Sequence, residues 1–496
     1  MTNYTKKAIH GAGYVFIISV LSAFFGYLLR LLLARNLTQT EYGMFYAIYS
    51  LSIFSIIFNN LGTGQALVKF IPEFKTNKKF NLIKNSIINV SIIQLVISTI
   101  IVIILFASSD FLALNYFHNL QASLIIKLFA FIFFFRSFLS LLVYIFQGFQ
   151  KMKYFAFVDF LRTFLIFIIA SGGFILFGKN ILVPTIAYLF APLILLPFFY
   201  FFFFKKTFPL FSKLKYSFDK NLMKKLVLFG APLMLMVVGI MILNHTDTLM
   251  LTYFSGLDQV GLYNAALPTA NVLGYFSIAL MTVLFPLSSE LWTKGHKKQL
   301  IEGINTLYKY SFITIFPIAL TMFSFPETIL NILFGNTYIQ ASNVLRILSL
   351  GVILMTITRI NFSAISGIGK PKLNARIILI GAIFNLILNF ILIPLYGMMG
   401  AAITTFFGYL LMMGLSISNL KKLVKIHIPF KYWTKSLFIG LIFISLISYL
   451  KYALVLNVYL EIIIIFGIVG LIYIVLVFLF NLLTIKEVKK IVKRVI

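Results

Sequence analysis

Seven charged side chains lie inside stretches of this sequence that are otherwise apolar for about 20 residues at a time. Five are arginines, Arg30, Arg136, Arg162, Arg346 and Arg359, and two are acids, Asp159 and Asp247. A charge at the centre of a hydrocarbon layer costs at least ~2.5 kcal/mol, so each needs a partner, water or a ligand. A guanidinium holds phosphate oxygens through two parallel hydrogen bonds, and this excess of arginines over acids favours an anionic ligand. Arg136 and Arg359 fall near mid-membrane and are expected to line a polar cavity, the alternative being bonds to helix carbonyls. Arg162 follows Asp159 by three residues, the spacing of a local ion pair on one helix face. Arg346 is near enough to a span end to reach the outer surface.

Asp247 lies about seven residues inside the helix end at Phe254, roughly 10 Å below the rim of a bilayer. Arg30 occupies the same depth in an earlier apolar segment. The two are expected to approach each other and close the outward side, with Asp247 and Asp159 as gating or ion-coupling groups for a proton or sodium gradient. His245 is expected to pack as a lone polar residue between helices. Neutral polar residues such as Asn244 and Asn271 would hold sugar hydroxyls.

The elements that must position these groups are membrane helices. Of 496 residues, 61% are hydrophobic and 11% charged, far more apolar than a soluble domain. The apolar segments are too long for barrel strands, so the expected class is an all-α integral membrane protein of about fourteen spans. Among them are Tyr42 to Val68 and Val260 to Leu287, each taken as one continuous helix. The run Phe198 to Phe204 is expected to face lipid. Most of the 42 Lys and Arg residues fall on alternate connections, including Lys205 and Lys206, Lys421 and Lys422, and a tail from Lys486 to Arg494. By the positive-inside rule both termini are cytoplasmic in the cell membrane, and these loops would meet anionic membrane lipids. The first apolar segment is too long for a cleaved signal peptide.

Superimposing the second half on the first at an offset of 218 to 219 aligns unlike features together. Gly43-Met-Phe-Tyr-Ala47 falls on Gly261-Leu-Tyr-Asn-Ala265, Lys127 on Arg346, and Gly148 on Gly367. Each copy holds six spans and enters from the same side, which describes parallel repeats with a site between two bundles. The expected organisation is an N-lobe over 1–213, a C-lobe over 214–430, and two further helices with a basic tail over 431–496.

Enzyme chemistry finds no support. The chain has no cysteine, no glycine-rich phosphate loop, no zinc-type histidine spacing and no nucleophile elbow. No catalytic residue, metal site or cofactor is assigned, and the alternate-loop placement of the +30 charge argues against nucleic acid as a partner.

The segments VGLYNAA at Val260, LFPLSSEL at Leu284, QGFQKMKY at Gln147, GIGKPKLNARI at Gly367 and NLILNFILIPLYGMMGAAITT at Asn385 together resemble Wzx-type polysaccharide flippases. These belong to the multidrug/oligosaccharidyl-lipid/polysaccharide exporter superfamily. The resemblance covers nearly the whole chain. It implies two six-helix lobes around a central cavity, alternating access, and movement of an isoprenoid diphosphate-linked oligosaccharide between leaflets. The candidates for binding such a substrate are Arg30, Arg136, Arg162, Arg359 and Asn244. The lipid-linked glycan would be the partner, with glycan assembly enzymes as further candidates and a monomer as the expected state. The alternatives within the same fold are a peptidoglycan lipid-precursor flippase and a cation-coupled multidrug exporter.

Overall fold

The computed structural model describes residues 3–59, 61–453 and 458–484. These residues are helical with short connections, and no strand occurs among them. An apolar chain in a medium without water must satisfy each backbone N–H and C=O within its own segment, and a helix does so. In chain order the α-helices are α1 (Asn3–Asn36), α2 (Gln39–Asn59), α3 (Thr63–Thr76), α4 (Phe80–Ala107), α5 (Ser109–Asn115), α6 (Gln121–Gly148), α7 (Met152–Phe177) and α8 (Leu182–Phe202). Then follow α9 (Lys220–Phe254), α10 (Leu257–Asn271), α11 (Gly274–Thr293), α12 (Lys297–Ser324), α13 (Pro326–Phe334), α14 (Ser342–Gly367), α15 (Pro371–Tyr396) and α16 (Met398–Leu423). The last two are α17 (Phe430–Ala453) and α18 (Val458–Leu479). The expected basic tail from Lys486 lies outside the described residues.

The order of elements repeats. A helix of 34 or 35 residues is followed by a broken one, a long one, a short one and three more long ones, first as α1–α8 and again as α9–α16. Residues paired by the sequence offset do the same work in each copy. Lys127 binds Asp110 at 3.1 Å, fixing α5 to α6, and Arg346 binds Glu327, fixing α13 to α14. Gly148 brings α6 against α3, where an added Cβ would lie 3.0 Å from the Leu67 carbonyl. Gly367 brings α14 against α11, 2.9 Å from the Phe285 carbonyl by the same measure. Small residues let backbones meet where lipid gives no hydrophobic drive.

Eleven helices among the described residues are long and apolar enough to cross a membrane. They differ from the fourteen spans expected at two places, where a span is broken. The second expected span is two helices, α2 and α3, separated where Leu61 and Gly62 take left-handed φ values of 49° and 75°. The eighth is also two helices, α10 and α11, interrupted at Val272 and Leu273. The fourteenth is present as the apolar helix α18 (Val458–Leu479). A window of mean hydropathy does not register an interruption of two or three residues, so the sequence read as continuous what the backbone breaks.

The chain forms two compact units, Met1–Asn264 with Asn389–Met398, and Ala265–Leu388 with Met399–Ile496. The core of the first unit gathers Phe70, Phe74, Leu142, Phe146, Phe199, Phe203 and Leu226. α3 contributes through one face only, burying Ala66, Leu67, Phe70, Ile71 and Phe74 at the i, i+3, i+4 spacing of an amphipathic helix. The phenylalanine run corrects the expectation that it faces lipid throughout. Phe198, Phe201 and Phe204 are exposed while Phe199 and Phe203, one turn apart, are fully buried, because one helix face must meet the core. In the second unit Leu300, Ile304, Tyr308, Ile360, Ala364 and Leu420 form the core. α17 and α18 dock on α12 through Trp433 stacked on Phe312 with centroids 5.6 Å apart, and through Tyr473, which donates to the Ile313 carbonyl at 3.2 Å. Pro317 lies four residues after Ile313 and has no N–H to offer that carbonyl, so it stands open to a second helix.

Candidate substrate and coupling site

The first unit collects most of the intramembrane charge. Arg30 on α1, Arg136 on α6 and Arg162 on α7 are each half-buried. Around Arg30 and Arg136 stand tyrosine rings. The Arg30 guanidinium lies 4.2 Å from the centre of the Tyr46 ring. Arg136 lies 5.6 Å from the centre of the Tyr49 ring and donates to its hydroxyl at 3.4 Å. Tyr49 stands in the fields of Arg136, Arg162 and Arg30 together, and Tyr188 in those of Arg162 and Arg30. Neutral rings attract a cation through their faces without cancelling its charge. The tyrosines themselves form an aromatic cluster, with Tyr49 edge-to-face to Tyr46, Phe129 and Tyr188 at centroid distances of 5.5–6.4 Å.

Arg162 makes the local pair its spacing implied, with Asp159 Oδ1 at 3.6 Å. The arginine side chain is 15% exposed and the acid 62%, so the carboxylate offsets only part of the charge. His245 lies 3.2 Å from the Ser50 hydroxyl and packs between α9 and α2. Asn244 is exposed.

Asp247 is 2% exposed. Its carboxylate accepts from the Tyr263 hydroxyl at 2.5 Å and from Asn389 Nδ2 at 2.7 Å. Arg30, expected to meet it, instead donates to the main-chain carbonyl of Asn264 at 3.4 Å. Arg30 and Asp247 therefore reach adjacent residues of α10.

The motif that revealed the repeat has a physical role in this unit. Gly43 and Gly261 are equivalents in the two copies, and they allow α2 and α10 to cross with backbones touching. A Cβ on Gly43 would fall 1.9 Å from the Leu257 carbonyl, and one on Gly261 2.4 Å from that of Gln39. Beside the crossing, Gln39 donates to the Asp258 carbonyl at 3.1 Å and Thr40 to the Asp258 carboxylate. A second backbone contact joins Gly62, at the break between α2 and α3, to Gly230 on α9.

Arg359 belongs to the second unit. It is half-buried, and its Nη1 donates to the Gly274 carbonyl at 3.0 Å and the Ser277 hydroxyl at 3.1 Å. It thus braces the start of α11 next to the break, which is the helix-carbonyl alternative. Sequence reasoning missed the breaks, although Gly62 and Gly274 and the nearby Pro268 were available signals. Interrupted helices at membrane depth occur where backbone lines a cavity or is buried in protein.

Residues 8–292 match the family described as polysaccharide biosynthesis protein. The chain belongs to that family. Residues 232–391 also match the MatE family, which places this member in the superfamily of multidrug, oligosaccharidyl-lipid and polysaccharide exporters. An uncharacterized membrane protein of Methanocaldococcus jannaschii is 34% identical over 507 residues, covering 99% of this chain and 100% of that one. A Haloferax volcanii protein named a probable low-salt glycan biosynthesis flippase is 31% identical over 159 residues, 32% of this chain and 34% of its own. The fold is that of a solved lipid II flippase in an inward closed conformation, with a TM-score of 0.76 at 17% identity, covering 93% of this chain and 97% of that one. The family member described here is accordingly a multi-pass membrane protein with a flippase-type transporter fold.

Proposed function

We propose that this protein flips an isoprenoid diphosphate-linked oligosaccharide from the inner to the outer leaflet by alternating access. The observation that carries this reading is the arginine cluster of the first unit. Arg30 and Arg136 lie against tyrosine rings, and the one acid paired within the cluster, Asp159 beside Arg162 and in the field of Arg136, is largely exposed. The net positive charge left over would shield a diphosphate midway across, where water is scarce and an unshielded anion is costly. Tyrosine faces and hydroxyls beside it suit sugar rings. Arg359, tied to a helix carbonyl, serves this reading as a brace of the broken helix as much as a ligand. Asp247 is the group through which a proton or sodium gradient would act. Both termini face the cytoplasm of the cell membrane, and the basic connections contact anionic lipids and, by this reading, glycan assembly enzymes. The protein acts as a monomer.

The test uses the full chain in proteoliposomes carrying a lipid-linked oligosaccharide, with glycan reaching the opposite leaflet read by a lectin that does not cross the bilayer. The pair Arg30→Gln with Arg136→Gln lowers the rate at least about tenfold, the loss of ~1.4 kcal/mol or more of charge-assisted binding. Normal flipping by that pair, or efflux of a cationic dye in place of glycan transfer, overturns the assignment.

A further inference from the structure

One turn of α10 presents consecutive residues to the two charges that the sequence marked as a pair. Tyr263 donates its hydroxyl to Asp247 at 2.5 Å. Asn264 ties its side chain to the Thr248 hydroxyl at 3.2 Å and to the Val260 carbonyl at 3.0 Å, so it too is anchored to α9 beside the acid. The main-chain carbonyl of Asn264 turns the other way and accepts from Arg30 Nη1 and from the Tyr42 hydroxyl, each at 3.4 Å.

That carbonyl is available for a chemical reason. In an uninterrupted helix it would accept the N–H of the residue four positions later, and that residue is Pro268, which has none. The same device opens the Ile313 carbonyl to Tyr473, four residues before Pro317. At Asn264 the acceptor goes to the arginine.

We infer that Tyr263, through its hydroxyl, and Asn264, whose carbonyl Pro268 releases from the helix ladder, are positioning residues that pass the charge state of Asp247 to Arg30. A proton or cation on the carboxylate weakens its hold on the Tyr263 hydroxyl. The turn then shifts, and the Asn264 carbonyl shifts with it. Because this carbonyl orients the Arg30 guanidinium, anion affinity changes without direct contact between the two charges. The other charged or titratable groups near this turn are Tyr42, Tyr46, Tyr49 and Tyr188 around Arg30 and His245 on α9, which is directed to Ser50 and stands in the fields of Arg30 and Arg136. The inference rests on the reading of Arg30 as a diphosphate ligand and names how that site is coupled.

The experiment is a mutant cycle on the full chain in detergent, with inorganic pyrophosphate as the calorimetric probe. Asp247→Asn mimics the neutralised acid, and Pro268→Ala restores an N–H that competes for the Asn264 carbonyl. Asp247→Asn shifts pyrophosphate affinity at least about fivefold in the wild-type background, and by less than about twofold in Pro268→Ala. Tyr263→Phe, which cuts the link without touching the backbone, suppresses the effect of Asp247→Asn in the same way. Equal shifts in all backgrounds, or no shift on Asp247→Asn, overturn the relay. Should pyrophosphate fail to bind, or bind regardless of Arg30→Gln, the diphosphate reading falls instead. The relay is then decided by melting temperatures of the Arg30→Gln and Asp247→Asn cycle, where non-additivity upholds it and additivity ends it.

Discussion

Gly43→Ala adds one methyl group where two helices have none to spare. Its Cβ falls 1.9 Å from the Leu257 carbonyl and 2.8 Å from the Gly261 nitrogen, against the 3.4 Å at which ordinary contact begins. α2 and α10 must therefore separate by roughly 1.5 Å at this point, because the obstacle is backbone and has no rotamer to change. Separation strains the bonds of Gln39 and Thr40 to Asp258 and displaces Tyr46, one turn along α2, from Arg30. Overpacking of this kind costs about 1–3 kcal/mol, and the upper end applies where rigid groups collide. The assay is thermal unfolding of the purified full chain, with Gly303→Ala as control since nothing lies within 4 Å of a Cβ there. Gly43→Ala lowers the midpoint by about 3 °C, and Gly261→Ala, 2.4 Å from the Gln39 carbonyl, does the same. The control stays level or rises, since alanine favours an exposed helix over glycine. Equal melting of Gly43→Ala and the control would refute the argument that this crossing depends on absent side chains.

Two further outcomes follow from charge. The Ser123 hydroxyl and then the Lys127 ammonium hold the Asp110 carboxyl on the short helix α5 below the usual carboxylate range. A depressed folded value means that the stabilisation is complete above the unfolded value of about 4 and is lost as pH falls below it; Asp110→Asn should flatten that part of a melting-against-pH curve, and an unchanged curve would remove the rim pair from consideration. Because the chain has no cysteine, single introduced thiols report orientation directly. Lys206→Cys should react with an impermeant maleimide only from inside intact cells and Lys179→Cys only from outside, and the reverse pattern would invert the topology.

The sequence by itself determined the class of this protein and its internal repeat. Long apolar segments admit only helices in lipid, and that constraint is local, so composition suffices to read it. Lys127 with Arg346, Gly43 with Gly261 and Gly148 with Gly367 were legible as pairs because an offset needs no geometry. Their roles were not legible, since a glycine's value lies in what approaches it. The intramembrane arginines were visible as costs, yet their partners were decided by packing. Arg30 was expected to meet Asp247 and meets a carbonyl one residue removed from that acid's own partner. Arg162 met its expected neighbour because i, i+3 spacing fixes contact within one helix. The breaks in the second and eighth spans escaped notice because hydropathy averages over them, while backbone strain at Leu61 and Gly62 and the missing N–H of Pro268 act at single residues. Only the tertiary structure decides which helix supplies the group that takes a released carbonyl, and that choice places the arginines where they stand.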